Sequence, residues 1–477
     1  MRGVSGWHYH PYRLYNHLEE ANLPFICRLA PYEDRIELEW IDNGSEGPHT
    51  LLYRTADSDC PWQTLPLVVS KAVITNLHSG DETELKVARG DPSALSHEES
   101  AIRYAHCGAV PGVVINYLHP RDETYAFSGR SLCSPCILKL PSGALLASMD
   151  VFAGSRPQNL TLLFRSDDCG ETWMYVNDLF PCYWATLFWH KDRLYCQSVS
   201  TEYGDLLIGV SDDEGKTFSK PVQILVGSAS PQEDGWQHTP MPMLRAHGSI
   251  YTSLDYGCWH NGGHAIALLS IDENDDLLVS ENWRVSALTR YDPLWPGAPI
   301  GSCSGPLEGN MVVGKDGHLY DILRIGITSC KPSHGVALML RANLADPEEA
   351  MAFHRFIQLP SGANSKTHIL YDPISGKYIA IGNICVDESA PGQRNVLALQ
   401  SSVDLYDWQV NCLLLDYRHE DPMRVGFQYI SFDFDGDDIV LQNRCSMNGA
   451  RNFHDANYQL FHRIKDFRKL LTQHEIL

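Results

Sequence analysis

The segment Glu308-Gly-Asn-Met-Val-Val-Gly-Lys-Asp-Gly-His-Leu-Tyr-Asp-Ile-Leu-Arg324 places two apolar runs on either side of a Lys315–Gly317 turn. If both runs are strands, the turn brings a carboxylate and a guanidinium side by side at one end of a hairpin. Further along, Gly426-Phe-Gln-Tyr429 opens another apolar run with a phenol. A carboxylate beside a tyrosine can take its proton and make it a nucleophile. Arginines close by can hold a substrate carboxylate in a planar fork. His238 opens a run in Trp236-Gln-His-Thr-Pro, a place suited to a proton donor. Each residue has a plainer alternative. Glu308 can brace Arg324, Tyr429 can fill a channel, His238 can be a hydrogen-bonded core histidine, and the arginines can tie strands together.

Metal and redox chemistry find less support. His260 and His264 flank a glycine pair in GCWHNGGH and fit no standard ligand set. Cys133-x-x-Cys136 has no second pair at zinc-site spacing. The 14 cysteines are scattered, several inside apolar runs such as those around Cys27, Cys196 and Cys412, as buried thiols of a reducing compartment would be. No cofactor is expected.

These residues need elements to position them, and almost nothing reads as helix. Residues 10–21 and Pro347–Ala352 are the helix candidates; the rest is short runs of Val, Ile, Leu, Tyr and Trp punctuated by Gly, Asp, Asn and Ser. That pattern predicts an all-β protein. Ser166–Trp173 reads SDDCGETW and Ser211–Phe218 reads SDDEGKTF, with a degenerate third copy at Ser401–Trp408. In such a turn the Asp binds amides, the Gly supplies positive φ and the aromatic plugs between strands. The repeat points to propeller blades.

Inner strands then begin near Ser134, Tyr183, His238, Glu308, Lys366 and Gln428, which predicts six blades. Val110–Tyr117 is expected to return to the last blade and close the ring. A propeller gathers its inner-strand starts and second-strand ends around one mouth. The starts offer Tyr183, Trp184, His238, Glu308, Lys366 and Tyr429; the ends offer Asp150, Asp255, His260, Arg324, Asn383 and Arg444. His454 and Asp455 either line the mouth or cap the final hairpin.

Ahead of this, residues 23–92 carry alternating strands at Ile36–Asp42, Thr50–Thr55 and within Lys71–Arg89. They resemble a fibronectin type III sandwich, with Trp40 in its core and Glu84 where a corner tyrosine would stand. The expected division is an extension over 1–22, a sandwich over 23–92 that carries no chemistry, and a propeller over 93–477. Across all 477 residues, 37 Lys+Arg face 59 Asp+Glu, for a net charge of −22. That sign disfavours nucleic acid as a partner. No apolar run approaches the roughly 20 residues of a membrane span, so no membrane partner is expected. The first residues lack the apolar stretch of a secretion signal, so a cytoplasmic location is expected.

Residues of about 130–468 resemble the sialidase superfamily, whose six-bladed propellers carry Asp-boxes like the two repeats above. The resemblance implies a Glu/Tyr nucleophilic pair, an arginine triad and an acid-base Asp. Glu308, Arg324 and Tyr429 fit the family glutamate, one arginine and the tyrosine, and Arg394 in Gln393-Arg-Asn-Val is placed like another arginine. The family's Arg-Ile-Pro motif is replaced by Cys133-Ser-Pro-Cys. The loop for the acid-base Asp reads Ser155-Arg-Pro-Gln-Asn-Leu and leaves Asp150 as the nearest substitute. The chain is therefore similar to a divergent sialidase-like branch, also marked by Arg444 and by the segment from His454 to His462.

The function implied is a retaining glycoside hydrolase acting on a terminal acidic or deoxy sugar. Glu308 would polarise Tyr429, and Asp150 or His238 would serve as general acid. Arg324, Arg394, Arg444, Lys366, Trp184, Asp255, His260, Asn383 and His454 would contact the carbohydrate partner. One alternative is a polysaccharide lyase cleaving a uronate-containing glycan by β-elimination, with His238 or Tyr429 as base. Another is a non-catalytic glycan-binding propeller.

Overall fold

Strands need one face or both to be buried, and the short alternating runs of this chain find that burial between stacked sheets. The computed structural model describes Trp7 and residues 23–42, 44–152, 157–228, 230 and 232–473. The helix expected over 10–21 lies outside them, as do Ser155 and Arg156. Among the described residues the expected all-β architecture is found, with one four-residue α-helix at Phe467–Leu470. Pro347–Ala352 is not helical. Asp346 accepts the amides of Glu348 and Glu349 at 3.1 and 3.2 Å and closes a turn there, and Ala352 already opens the strand Ala352–Gln358. Among the described residues no helix is long and apolar enough to cross a membrane.

Two antiparallel sheets come first. One holds Phe25–Pro31, Arg35–Ile41 and Lys71–Thr75; the other holds Gln63–Leu67, His49–Thr55, Glu82–Arg89 and Arg103–His106. Ile36, Leu38 and Trp40 alternate inward along their strand and meet Leu51, Leu85 and Val87 of the second sheet. Glu84 is buried and paired with Arg54. The strand Arg103–His106 lies beyond the expected boundary at residue 92, and the same apolar cluster runs on into Phe427, Tyr458 and Leu460.

Besides a two-stranded pair of Ile300–Gly301 with Cys330–Lys331, six antiparallel sheets of four or five strands follow. Their first strands are Ser131–Lys139, Tyr183–His190, Gly235–Gln237, Pro306–Val313, His368–Asp372 and Gly426–Asp435. The sixth sheet has three strands from the end of the chain and takes its fourth, Val113–Tyr117, from ahead of the first sheet, as the sequence suggested; Tyr458 pairs with Tyr117. Each neighbouring pair shares an apolar cluster: Leu146 with Leu194, Val210 with Leu254, Leu268 with Leu323, Ile322 with Ala380, Leu397 with Phe432. The sixth sheet packs on the first through Val440, Phe461, Leu145 and Phe164, so the stack has no free end.

The repeated turns act as wedges in this packing. Asp168 accepts from the Thr172 amide at 2.9 Å and from the Ser166 hydroxyl at 2.8 Å, and the Gly170 amide donates to Ser166 Oγ at 2.8 Å. Gly170, at φ +94°, leaves no space for a side chain: a Cβ would lie 2.0 Å from the Phe461 ring. Trp173 is buried against that same ring. Asp213 makes the matching bonds to Thr217 and Ser211 in the second copy.

Candidate functional site

The inner strands of the first, second, fourth and sixth sheets slip register near their starts. Each bulge holds one non-glycine residue at positive φ: Ser134 (45°), Trp184 (56°), Glu308 (56°) and Tyr429 (55°). A bulge re-aims a side chain out of the sheet's alternation, and all four residues line one cavity of about 430 Å³. Left-handed backbone at such residues costs about 1–3 kcal/mol each, so it must be held by its surroundings.

The bracing comes from the neighbouring sheet. Asp150, at the end of the first sheet's second strand, accepts the Trp184 amide at 2.8 Å. Asp255 of the third sheet accepts the Glu308 amide on both oxygens at 3.1 Å. Asn383 of the fifth donates to the Phe427 carbonyl at 2.6 Å, beside the bulge of Tyr429. These three residues were expected in the mouth; they lie buried behind it and fix the backbone of the residues that do face it.

Three more expectations are corrected. His238 is buried between the hydroxyls of Thr186 and Thr252, at 3.3 and 3.1 Å, and burial pulls its pKa down to about 3. It is withdrawn from the cavity. Lys366 is also fully buried, donating to the Ile430 carbonyl at 2.9 Å. Burial lowers its pKa to about 8 against the opposing pull of Glu308. His260 sits exposed in the turn Trp259–Asn261, and its neighbour Trp259 lines the cavity in its place. His264 packs against the Tyr203 ring, and no group of three potential metal ligands occurs among the described residues. Cys133 and Cys136 are free buried thiols.

The residues that do converge are Glu308, Arg324, Arg394, Tyr429, Arg444, Trp184 and His454. Arg324 Nε stands 3.0 Å from Glu308 Oε2. Arg444 Cζ lies 4.6 Å from the centre of the Tyr429 ring and Arg394 Cζ lies 5.7 Å from it. Arg394 is anchored to Gln428 Oε1 and to the Asn364 carbonyl, and Arg444 to the His454 carbonyl. These anchors leave polar atoms over. Arg324 Nε and Nη1, Arg394 Nε, Arg444 Nε and Glu308 Oε2 are buried without a hydrogen-bond partner. The Arg324–Glu308 pair thus meets in charge without the alignment of a hydrogen bond.

The fields at this site oppose one another. Burial and then Glu308 push the Tyr429 phenol above its ordinary pKa, while the three guanidiniums pull it back. The phenol therefore stays protonated at rest and needs a base to act as a nucleophile. Burial lowers the Arg394 guanidinium to about 10, with Arg324 and Arg444 adding like-charge repulsion. His454 is held down to about 3, by burial first and by Arg444 next. A second space of about 350 Å³ adjoins the same two arginines, Arg324 and Arg394, and is lined by Ser302, Ser304 and Thr328.

Sequence reasoning missed the far wall of the cavity, where Gln158, Glu202 and Tyr203 lie. The rule that second-strand ends face the mouth would have found Glu202. Arg193–Val199 is the second strand of its sheet, and Glu202 follows it by three residues. Gln158 gives no such signal, because it stands in a loop ahead of the strand Thr161–Ser166.

The structure resembles that of an α-L-arabinanase from Penicillium chrysogenum complexed with arabinobiose. The identity is 14% and the TM-score 0.50, over 75% of this chain and 98% of the other. A Hadza microbial sialidase matches at 11% identity and TM-score 0.49, over 92% and 94%. The intramolecular trans-sialidase from Ruminococcus gnavus matches at 13% and 0.47, over 73% and 97%. No family model and no curated protein matches the sequence. The arabinanase likeness shows a shared fold.

Proposed function

We propose that the chain is a glycoside hydrolase that removes a terminal acidic sugar, built on a six-bladed sialidase-like propeller with Asp-box turns and a fibronectin III-like sandwich ahead of it. The observation that carries this reading is the set of three buried guanidiniums around one phenol, with N–H groups on each left unpaired. An unpaired buried donor costs about 1–3 kcal/mol. An anion that takes hydrogen bonds from all three arginines offsets that cost and their mutual repulsion together. A carboxylate on a sugar, forked between Arg324, Arg394 and Arg444, satisfies them in the plane guanidinium prefers.

With the carboxylate so held, the anomeric carbon rests over Tyr429. Glu308 takes the phenol proton, the phenolate oxygen attacks, and the glycosidic bond breaks. Water then displaces the tyrosine, and the anomeric configuration is retained. Arg444 supplies the third arm of the clamp from the sixth sheet. It stands in for the arginine missing at Cys133-Ser-Pro-Cys, whose Cys133 lies close enough to feel its charge. The lyase reading asked for His238 or Tyr429 as base, and the burial of His238 leaves only the tyrosine.

The test is mass spectrometry of products from sialosides, uronate-containing oligosaccharides and rhamnosyl-glucuronates, incubated with wild type and with Glu308→Gln. The expected product gains one water, and the variant forms it at least about a hundredfold more slowly. A product without added water that absorbs in the ultraviolet would establish the lyase. No product from any substrate would favour a binding propeller.

A further inference from the structure

The hydrolase reading needs an acid for the leaving oxygen, and the structure withdraws both expected candidates. Asp150 is spent on the Trp184 amide and the Thr161 hydroxyl, and His238 is enclosed between two threonines. We infer that Glu202, in the turn after the second strand of the second sheet, is the general acid and base of the reaction. This rests on the hydrolase reading and completes it.

Four observations carry the inference. Glu202 lines the same cavity as Glu308 and Tyr429. Because the six sheets pack in chain order and the sixth packs on the first, its sheet lies three places from the fifth, which brings Arg394, and two from the fourth and sixth, which bring the other two arginines. A sugar whose carboxylate faces the arginines therefore turns its opposite side toward Glu202. The turn is rigid: the Ser200 amide donates to the Asp205 carbonyl and the Gly204 amide to that of Thr201, both at 2.8 Å. Finally, Gln158 sets which oxygen carries the proton. Its Oε1 accepts from the Tyr183 hydroxyl at 3.1 Å, and its amide nitrogen donates to Glu202 Oε2 at 2.6 Å. With Oε2 occupied as an acceptor, the acidic proton belongs on Oε1. Burial raises the Glu202 pKa, opposed only by that amide, and no ion pair with a cation forms among the described residues. That shift is in the direction a proton donor needs.

The step balances. Oε1–H passes to the glycosidic oxygen as the bond to the anomeric carbon breaks and the bond to Tyr429 Oη forms, with the phenol proton on Glu308. In the second half, Glu202 takes a proton from water as the water oxygen bonds to that carbon. The tyrosine leaves and recovers its proton from Glu308.

The test compares leaving groups. Wild type and Glu202→Gln are assayed on the glycan that the acidic panel shows to be hydrolysed, and on the 4-methylumbelliferyl glycoside of the same sugar. An aryl leaving group needs little protonation. The variant should therefore lose at least about a hundredfold in kcat/KM on the glycan and less than about fivefold on the aryl glycoside. The alkaline limb of the pH profile should vanish with it. Gln keeps the bond from Gln158, and a thermal melt confirms the fold. If that variant fails to fold, Glu202→Asp tests the same point, with at least a tenfold loss expected on the glycan alone. Equal losses on both substrates, or none on either, overturn the assignment and leave the hydrolase standing. A wild type inactive on every glycan overturns the hydrolase and this assignment together.

Discussion

At the scale of single residues, the site is a contest between burial and charge. Arg444 touches both the Tyr429 ring and the ring of Phe152, at 4.6 and 5.5 Å, while its Nη2 is fixed to the His454 carbonyl. Its place is set by planarity as much as by charge. Arg444→Lys keeps the charge and loses the fork. The expected outcome is a KM about tenfold higher on a carboxylate-bearing substrate, with kcat within about threefold, measured by steady-state kinetics. A methyl ester of the same sugar should not distinguish the two proteins. The sequence brought Glu308, Arg324, Arg394, Tyr429 and Arg444 forward because strand starts and ends can be read from apolar runs and turns. It placed Asp150, Asp255 and Asn383 beside them for the same reason. What it could not show is that a short acid or amide at a strand end spends its polar atoms on the next sheet's backbone. That depends on how two sheets abut, which no local pattern records.

At the scale of elements, the bulge is the device that turns a β-strand into a mount for chemistry. Its tightest example is beside Glu308. A Cβ on Gly309 would lie 2.3 Å from an Asp321 oxygen and 2.4 Å from Ser253 Oγ. Those two short side chains are bonded to each other at 2.6 Å and have nowhere to retreat. Gly309→Ala is therefore expected to push the bulge outward and carry Glu308 with it. Activity should fall at least about tenfold and stability by about 1–3 kcal/mol, read from kcat and from a denaturant titration. The wedge turns were legible, because their Ser, Asp, Gly and Thr each make a local bond. The helix expected at Pro347–Ala352 was not formed, since Asp346 offers the same amides a turn that costs less ordering than a helical nucleus.

At the scale of the whole molecule, the ring buries titratable groups that then report on folding. Asp150 has its pKa raised to about 7, chiefly by burial. The folded chain therefore binds a proton between about pH 4 and 7 that the unfolded chain releases, and this part of the stability is lost as pH rises through that window. Asp150→Asn copies the protonated form. Its stability relative to wild type should rise by about 1–3 kcal/mol between pH 5 and pH 8, measured by melts at the two pH values. The all-β class and the approximate strand starts could be read along the chain, because five of these six sheets are local in sequence. The extent of the N-terminal sheets could not, since Arg103–His106 joins them by pairing with Glu82–Arg89 across a long turn.

One sheet is not local. Its outer strand, Val113–Tyr117, emerges from the ribosome long before Tyr458–Ile464, the strand it pairs with. Five sheets can form as the chain is made, but the sixth waits until the strand Tyr458–Ile464 has been made. Tyr429 and Arg444 sit in that sixth sheet, so the cavity they line is completed only after the other five sheets can form. A chain stopped before residue 426 carries the strands of five of these sheets and neither Tyr429 nor Arg444.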